Sequence, residues 1–487
     1  MNAAVGLIIA RSWMNLCGLG AFLLVARFVT PAEIGVYALA SSAVLLPMSL
    51  VGAGFAEHVI GRDPTGKDFA TSFWSSLASG AVGTLIALGS AAVAHGAFGL
   101  DEIARIMFLM SPLPLLWGAA VISESVLIRD GRGVALAVVP FLSDLLGLLA
   151  LAGAIFLGWG VLSLVVNRMV ACVVMLVGMM IAAPPRNVMH FDVSAARRVG
   201  RFGFGLVGSR VAGWASQFGT EFVIGALLST TAVGYFRLAS RLVGAMYTVM
   251  MQGPASAQLA YFGRGRHRAP KAYDHALRLH LVLSTPVIIA VAVAAPLIIE
   301  VALGASWEPS SFVLSMLSLA LLPSIGASIA TTMLIAKGNS RRAFALHTAT
   351  AVATVLSLLA GSFFGLEAAA VARLAIAWAV LLPVVAGVRE LRPTGVVSTV
   401  RIFAAIALPA AVMAVVMKAM LMLLPAPAGW LAGLFTLAAA SVTGLSAYAL
   451  AAFLVLRRTT LQMRLLLAEA SPVLRRLSRQ PRFGAVV

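Results

Sequence analysis

Charge is scarce in this sequence: Asp, Glu, Lys and Arg make up 11% of the 487 residues, while 61% are hydrophobic. With a mean hydropathy of +1.01, too little polar surface remains to cover a soluble core, so a soluble domain is excluded. Cysteine is almost missing. Its two copies, Cys17 and Cys172, lie far apart in apolar stretches and make no disulfide framework. His267, His275 and His280 lack the carboxylates or cysteines that would complete a metal site. Nucleotide-binding and kinase patterns are also missing, so no ATP-driven site is visible. Long outer connections are missing as well, which disfavours an enzyme with a large external catalytic segment. No cleavage pattern follows the first apolar segment, which holds Arg11 and reads as a retained span without a signal peptide.

What fills the chain is apolar. Stretches of about 20 residues fall at 13–29, 35–56, 70–94, 106–128, 133–158, 161–184, 202–228, 233–259, 279–303, 311–336, 343–364, 367–388, 402–424 and 430–456. They are too long for barrel strands, and in lipid the backbone must satisfy itself as helix. The expected fold is an all-α polytopic membrane protein with about 14 transmembrane helices.

Basic residues set its direction. With both termini cytoplasmic, the inner connections carry nineteen Lys and Arg, from Arg62 and Lys67 to Arg401, against Arg105 alone outside. The net charge of +18 then reflects basic loops at an anionic leaflet, which removes the reason to invoke nucleic acid. The basic tail 457–487 lies near the same inner surface.

An internal echo gives the organisation. Residues 26–41, ARFVTPAEIGVYALAS, align at an offset of 199 with residues 225–240, GALLSTTAVGYFRLAS. The pairs Gly35/Gly234, Leu39/Leu238, Ala40/Ala239 and Ser41/Ser240 are identical, as are Arg11/Arg210 and Gly20/Gly219. Six spans separate the repeats, an even number, so both enter the membrane in one direction as parallel repeats. This predicts two parallel six-helix lobes, 1–184 and 202–388, joined by a basic linker 185–201, with a C-terminal helix pair at 389–456.

Charges inside spans are costly and are the candidates for function. Arg237 and Arg241 lie one turn apart on one face of span 8; Arg27 lies near the outer end of span 1. Arg168 and Arg373 lie inside the outer ends of spans 6 and 12, and Arg210 marks the inner end of span 7. Guanidiniums of this kind would hold phosphate oxygens, with Gln217 as a further polar lining group. The acids Glu221, about 16 Å along its helix from Arg210, and Asp144 would bind a coupling proton or Na+, or neutralise an arginine.

The segments ARFVTPAEIGVYALA and LSTTAVGYFRLASR resemble the polysaccharide transporter family of oligosaccharide flippases, in the superfamily that also holds multidrug and toxic compound exporters and the peptidoglycan lipid flippase. The resemblance implies translocation of an undecaprenyl-diphosphate-linked oligosaccharide to the outer leaflet of a bacterial inner membrane. It implies no catalytic residue and no cofactor beyond a coupling ion. Membrane lipids, a polysaccharide polymerase and a chain-length regulator would be its partners. A cation-coupled exporter of amphiphiles is the alternative, and a membrane glycosyltransferase using Asp101 and Glu102 is the second.

Overall fold

The computed structural model describes residues 13, 17–61, 66–184, 191–252, 258, 262, 269–388, 395–424 and 429–455. Among them there is helix and no strand. Each of the fourteen apolar stretches holds a helix. Among the described residues, eleven helical stretches are long and apolar enough to cross a membrane. The three that fall outside that number include Val193–Leu227 and Thr230–Tyr247, whose arginines, with Glu221 in the first, lower their mean hydropathy. Arg11, the first part of the linker and the tail 457–487 lie outside the described residues.

In chain order the helices are α1 Cys17–Ala26, α2 Pro31–Leu50, the short α3 Phe55–Gly61, α4 Gly66–Gly96, α5 Asp101–Met110, α6 Leu113–Arg129, α7 Gly133–Phe156, α8 Leu162–Ala182, α9 Val193–Leu227 and α10 Thr230–Tyr247. A π-helical segment, Thr248–Gln252, ends α10. There follow α11 Ala269–Leu303, α12 Pro309–Leu319, α13 Leu321–Ala336, α14 Ser340–Ser362, α15 Leu366–Gly387, α16 Gly395–Leu423 and α17 Trp430–Val455. Pro112 and Pro114 open α6, where a missing N–H costs nothing.

Two compact units emerge from the contacts. The first comprises Met1–Gly253, Ala302–Leu317 and His347–Ile376; the second comprises Pro254–Val301, Ser318–Leu346 and Ala377–Val487. In the first unit, Val59, Phe69, Phe73 and Ile122 form one apolar cluster, and Leu127, Leu136, Met175 and Met179 form another. In the second, Met413, Met417, Ala440 and Tyr448 pack α16 on α17, and the Tyr448 hydroxyl donates to the Val282 carbonyl of α11. Exposed aromatics of the first unit include Phe28, Phe98, Phe156, Trp159 and Phe364 at helix connections, Phe191 just before α9, and Phe108 and Phe204 within helices.

Candidate functional site

The two repeated turns build matching helix starts. Thr30 caps α2 through a reciprocal box with Glu33, its hydroxyl accepting from the Glu33 N–H and the Glu33 carboxylate accepting from the Thr30 N–H, with Pro31 at the first helical position. Ser229 caps α10 by accepting from the Ala232 N–H. The two starts then press together. A Cβ on Gly35 would sit 1.7 Å from the Thr230 carbonyl oxygen, and one on Gly234 would sit 1.9 Å from that of Pro31. Only glycine permits this approach.

Deeper along the same face of α2, Ser42 meets a buried ion pair. Glu221 of α9 and Arg237 of α10 are each 3% exposed. Arg237 donates from Nη1 to Glu221 Oε1, and Ser42 Oγ donates to Glu221 Oε2 at 2.7 Å. The Arg237 guanidinium lies over the Phe218 ring at 5.5 Å, and the Trp214 indole donates to the Ser42 carbonyl at 2.9 Å. Both carboxylate oxygens are occupied, so the cost of burying each charge is offset by the other. Arg237 Nε alone in this cluster is buried without a hydrogen-bond partner.

Arg241, one turn further along α10, is different. It is exposed, and none of the ion pairs among the described residues includes it. Its guanidinium faces α1, lying 5.9 Å from the Phe22 ring centroid and beside Gly18. Arg168 of α8 is exposed and within electrostatic reach of both Arg241 and Asp144. Asp144 keeps a buried carboxylate oxygen, Oδ2, without a hydrogen-bond partner. Gln217 is exposed on α9, and Arg373 is half-buried on α15; among the described residues no ion pair draws Arg373 into the cluster.

The remaining two arginines sit at helix ends. Arg27 donates from Nε to the Ala302 carbonyl at 2.7 Å. Arg210 reaches the last carbonyls of α2, donating to Ser49 O at 2.7 Å, and pairs with Glu57 Oε1 at 2.6 Å. Burial pushes the Glu57 carboxyl up, but its own N–H, the Arg210 hydrogen bond and charge, and the Gly54 N–H together hold it below its ordinary value.

Sequence reasoning passes over Ser42, Trp214 and the Glu57–Arg210 pair. Nothing in a lone serine marks it as an acid's partner. The Gly35/Gly234 identity did carry a signal, since a position kept free of a side chain in both repeats marks close backbone approach. Among the described residues, no group of three or more His, Cys, Asp or Glu could hold a metal ion.

Three comparisons bear on this arrangement. The family described as "Polysaccharide biosynthesis protein" matches residues 24–312. The succinoglycan biosynthesis transport protein ExoT of Rhizobium meliloti (strain 1021) is 25% identical over 303 residues, which is 61% of this chain and 61% of the relative. The chain therefore spans under two thirds of the curated relative it matches. Among solved structures, the inward closed conformation of the lipid II flippase MurJ superposes with a TM-score of 0.76 at 16% identity, covering 93% of this chain and 99% of that one. An inward-facing multidrug resistance MATE family transporter gives 0.59 at 14% identity, covering 83% and 99%. These two likenesses show the fold.

Proposed function

The chain belongs to the polysaccharide biosynthesis protein family, and from that premise we propose that it is a flippase carrying a lipid-linked oligosaccharide across the bacterial inner membrane for polysaccharide assembly. The observation that carries this reading is the contrast within α10: Arg237 is neutralised in a buried pair, while Arg241 one turn away is exposed and in no ion pair among the described residues. An open guanidinium inside a membrane helix suits a diphosphate, to which it offers a planar fork of donors. It repels a cationic cargo. No bond is made or broken in such transport, so no nucleophile or general acid is required.

Closure of one end supports alternating access. The α2 and α10 starts are clasped backbone to backbone, with the Glu221–Arg237–Ser42 cluster below them. In the reading with cytoplasmic termini and fourteen crossings, that clasp lies on the outer side and belongs to two parallel lobes, 1–184 and 202–388. Opening to the outer leaflet separates them. The diphosphate and sugars take the polar route past Arg241, with Arg168 adding to the same positive field, while the polyprenyl chain stays in lipid. For ion coupling, Asp144 offers the carboxylate with an open oxygen to a proton or Na+, whereas Glu221 is engaged on both. The delivered unit would pass to a polymerase working with a chain-length regulator.

Reconstitution tests the proposal. A labelled undecaprenyl-diphosphate oligosaccharide should appear at the opposite leaflet of proteoliposomes containing the protein and not of empty ones. Equal exposure in both would overturn it.

A further inference from the structure

We propose that Trp307 is the gate residue that holds the outer clasp shut, and that the segment Ala302–Trp307 must undock before the outer side opens; this rests on the alternating-access reading above. The segment departs from its surroundings. Ala302–Leu317 packs in the first unit, although the chain enters it from Pro254–Val301 and leaves it into Ser318–Leu346, both of the second unit. It is thus a strap carried by helices whose other contacts lie elsewhere.

Its docking is an exchange of helix caps. The last carbonyls of a helix have no partner within it. The Ala26 carbonyl, at the end of α1, accepts from the Trp307 indole N–H at 2.9 Å. In return Arg27, the next residue, donates to the Ala302 carbonyl in the last turn of α11 at 2.7 Å, a favourable place for a cation. Trp307 is 1% exposed, and its ring meets Tyr235 edge-on at 6.1 Å between centroids. The Tyr235 hydroxyl donates to the Ser306 carbonyl at 3.3 Å.

Position turns this docking into a gate. Ala26 and Arg27 open the first repeated turn, and Tyr235 follows Gly234 in the second. One indole therefore holds the first repeat by its N–H and the second by its ring contact with Tyr235. It cannot keep both when α2 and α10 part. Each hydrogen bond falls on a backbone carbonyl, so the latch reads the positions of helix ends and not the side chains there. Gly304 makes the bend that admits Trp307, at φ 91° and ψ 178°, a region other residues avoid. A Cβ at Gly304 would meet nothing within 4 Å, so a substitution there loosens the strap through backbone strain alone.

The test is state-dependent labelling in spheroplasts. In a Cys17→Ala, Cys172→Ala background, a cysteine at Ala38, which is fully buried on the α2 face between Gly35 and Ser42, reports opening to a membrane-impermeant maleimide added outside. Trp307→Phe keeps the packing and loses the N–H, and Gly304→Ala strains the bend. Trp307→Phe should label about fivefold faster than the background, the equivalent of one lost hydrogen bond, and Gly304→Ala should label faster through the strained bend. Unchanged labelling in both, with wild-type amounts in the membrane, overturns the gate. Labelling needs no cargo. Faster labelling without lipid-linked oligosaccharide transport by the parent protein would leave the latch standing and remove the flippase reading instead.

Discussion

Gly35 and Gly234 stand in each other's place: each is pressed against the backbone carbonyl of the residue four positions before the other. Neither carbonyl can swing aside cheaply, because it belongs to a helix start. Alanine at either position should cost about 1–3 kcal/mol through overpacking and impair transport. Thermal unfolding in detergent checks the first effect and a proteoliposome flipping assay the second. Gly20→Ala, where a Cβ meets nothing within 4 Å, is the control and should be near neutral.

Removing one member of the buried pair should be worse than removing both. Glu221→Ala strands the Arg237 charge and should cost about 3–5 kcal/mol. Adding Arg237→Met to that variant should recover much of the loss. Ser42→Ala removes one bond to the carboxylate, an effect of about 1 kcal/mol. Midpoints of thermal unfolding for the four proteins would show the ordering, and a double variant less stable than Glu221→Ala would refute it.

Arg241 should behave oppositely, as a group of function and not of stability. Arg241→Ala should leave the unfolding midpoint within a degree or two of the parent while flipping falls about tenfold, the scale of one charge-assisted bond to phosphate. Lysine should restore part of the rate, since it keeps the charge and loses the fork. Full transport by properly inserted Arg241→Ala would remove its assigned role.

The Glu57–Arg210 contact gives a pH dependence. The folded-state pKa of Glu57 is below its unfolded value, so the contribution is present above the ordinary carboxylate range and is lost as pH falls through the depressed value. Both side chains are partly exposed, at 40% and 28%, so screening keeps the effect under about 1 kcal/mol. The acid limb of a stability profile should therefore flatten slightly in Glu57→Gln, with no difference from the parent once the parent's Glu57 is itself protonated.

Hydropathy alone locates a helix at all fourteen stretches, because a long apolar run has to satisfy its own backbone hydrogen bonds. The finer division of labour among charged residues is less legible. Arg237 and Arg241 share a helix face by spacing, yet among the described residues Glu221 forms an ion pair with Arg237 and not with Arg241. Which arginine is neutralised depends on how α9 and α10 cross, and no local pattern records that. Ser42 and Trp307 were invisible for the same reason: their partners lie 179 and 281 residues away. Arg27 and Arg210 read as lining groups from sequence, and no local pattern records that the structure also has Arg27 donating to the Ala302 carbonyl and Arg210 to the Ser49 carbonyl, both near helix ends.

The glycine clasp has the form of an isologous contact, the kind by which two copies of one subunit meet about a two-fold axis, written here within a single chain. In a homodimer of such repeats, every substitution at the contact would strike both sides at once. Here the two sides of the contact carry separate residues, Pro31 opposite Thr230, so its fit can be adjusted one side at a time. A symmetric joint has become a tunable one.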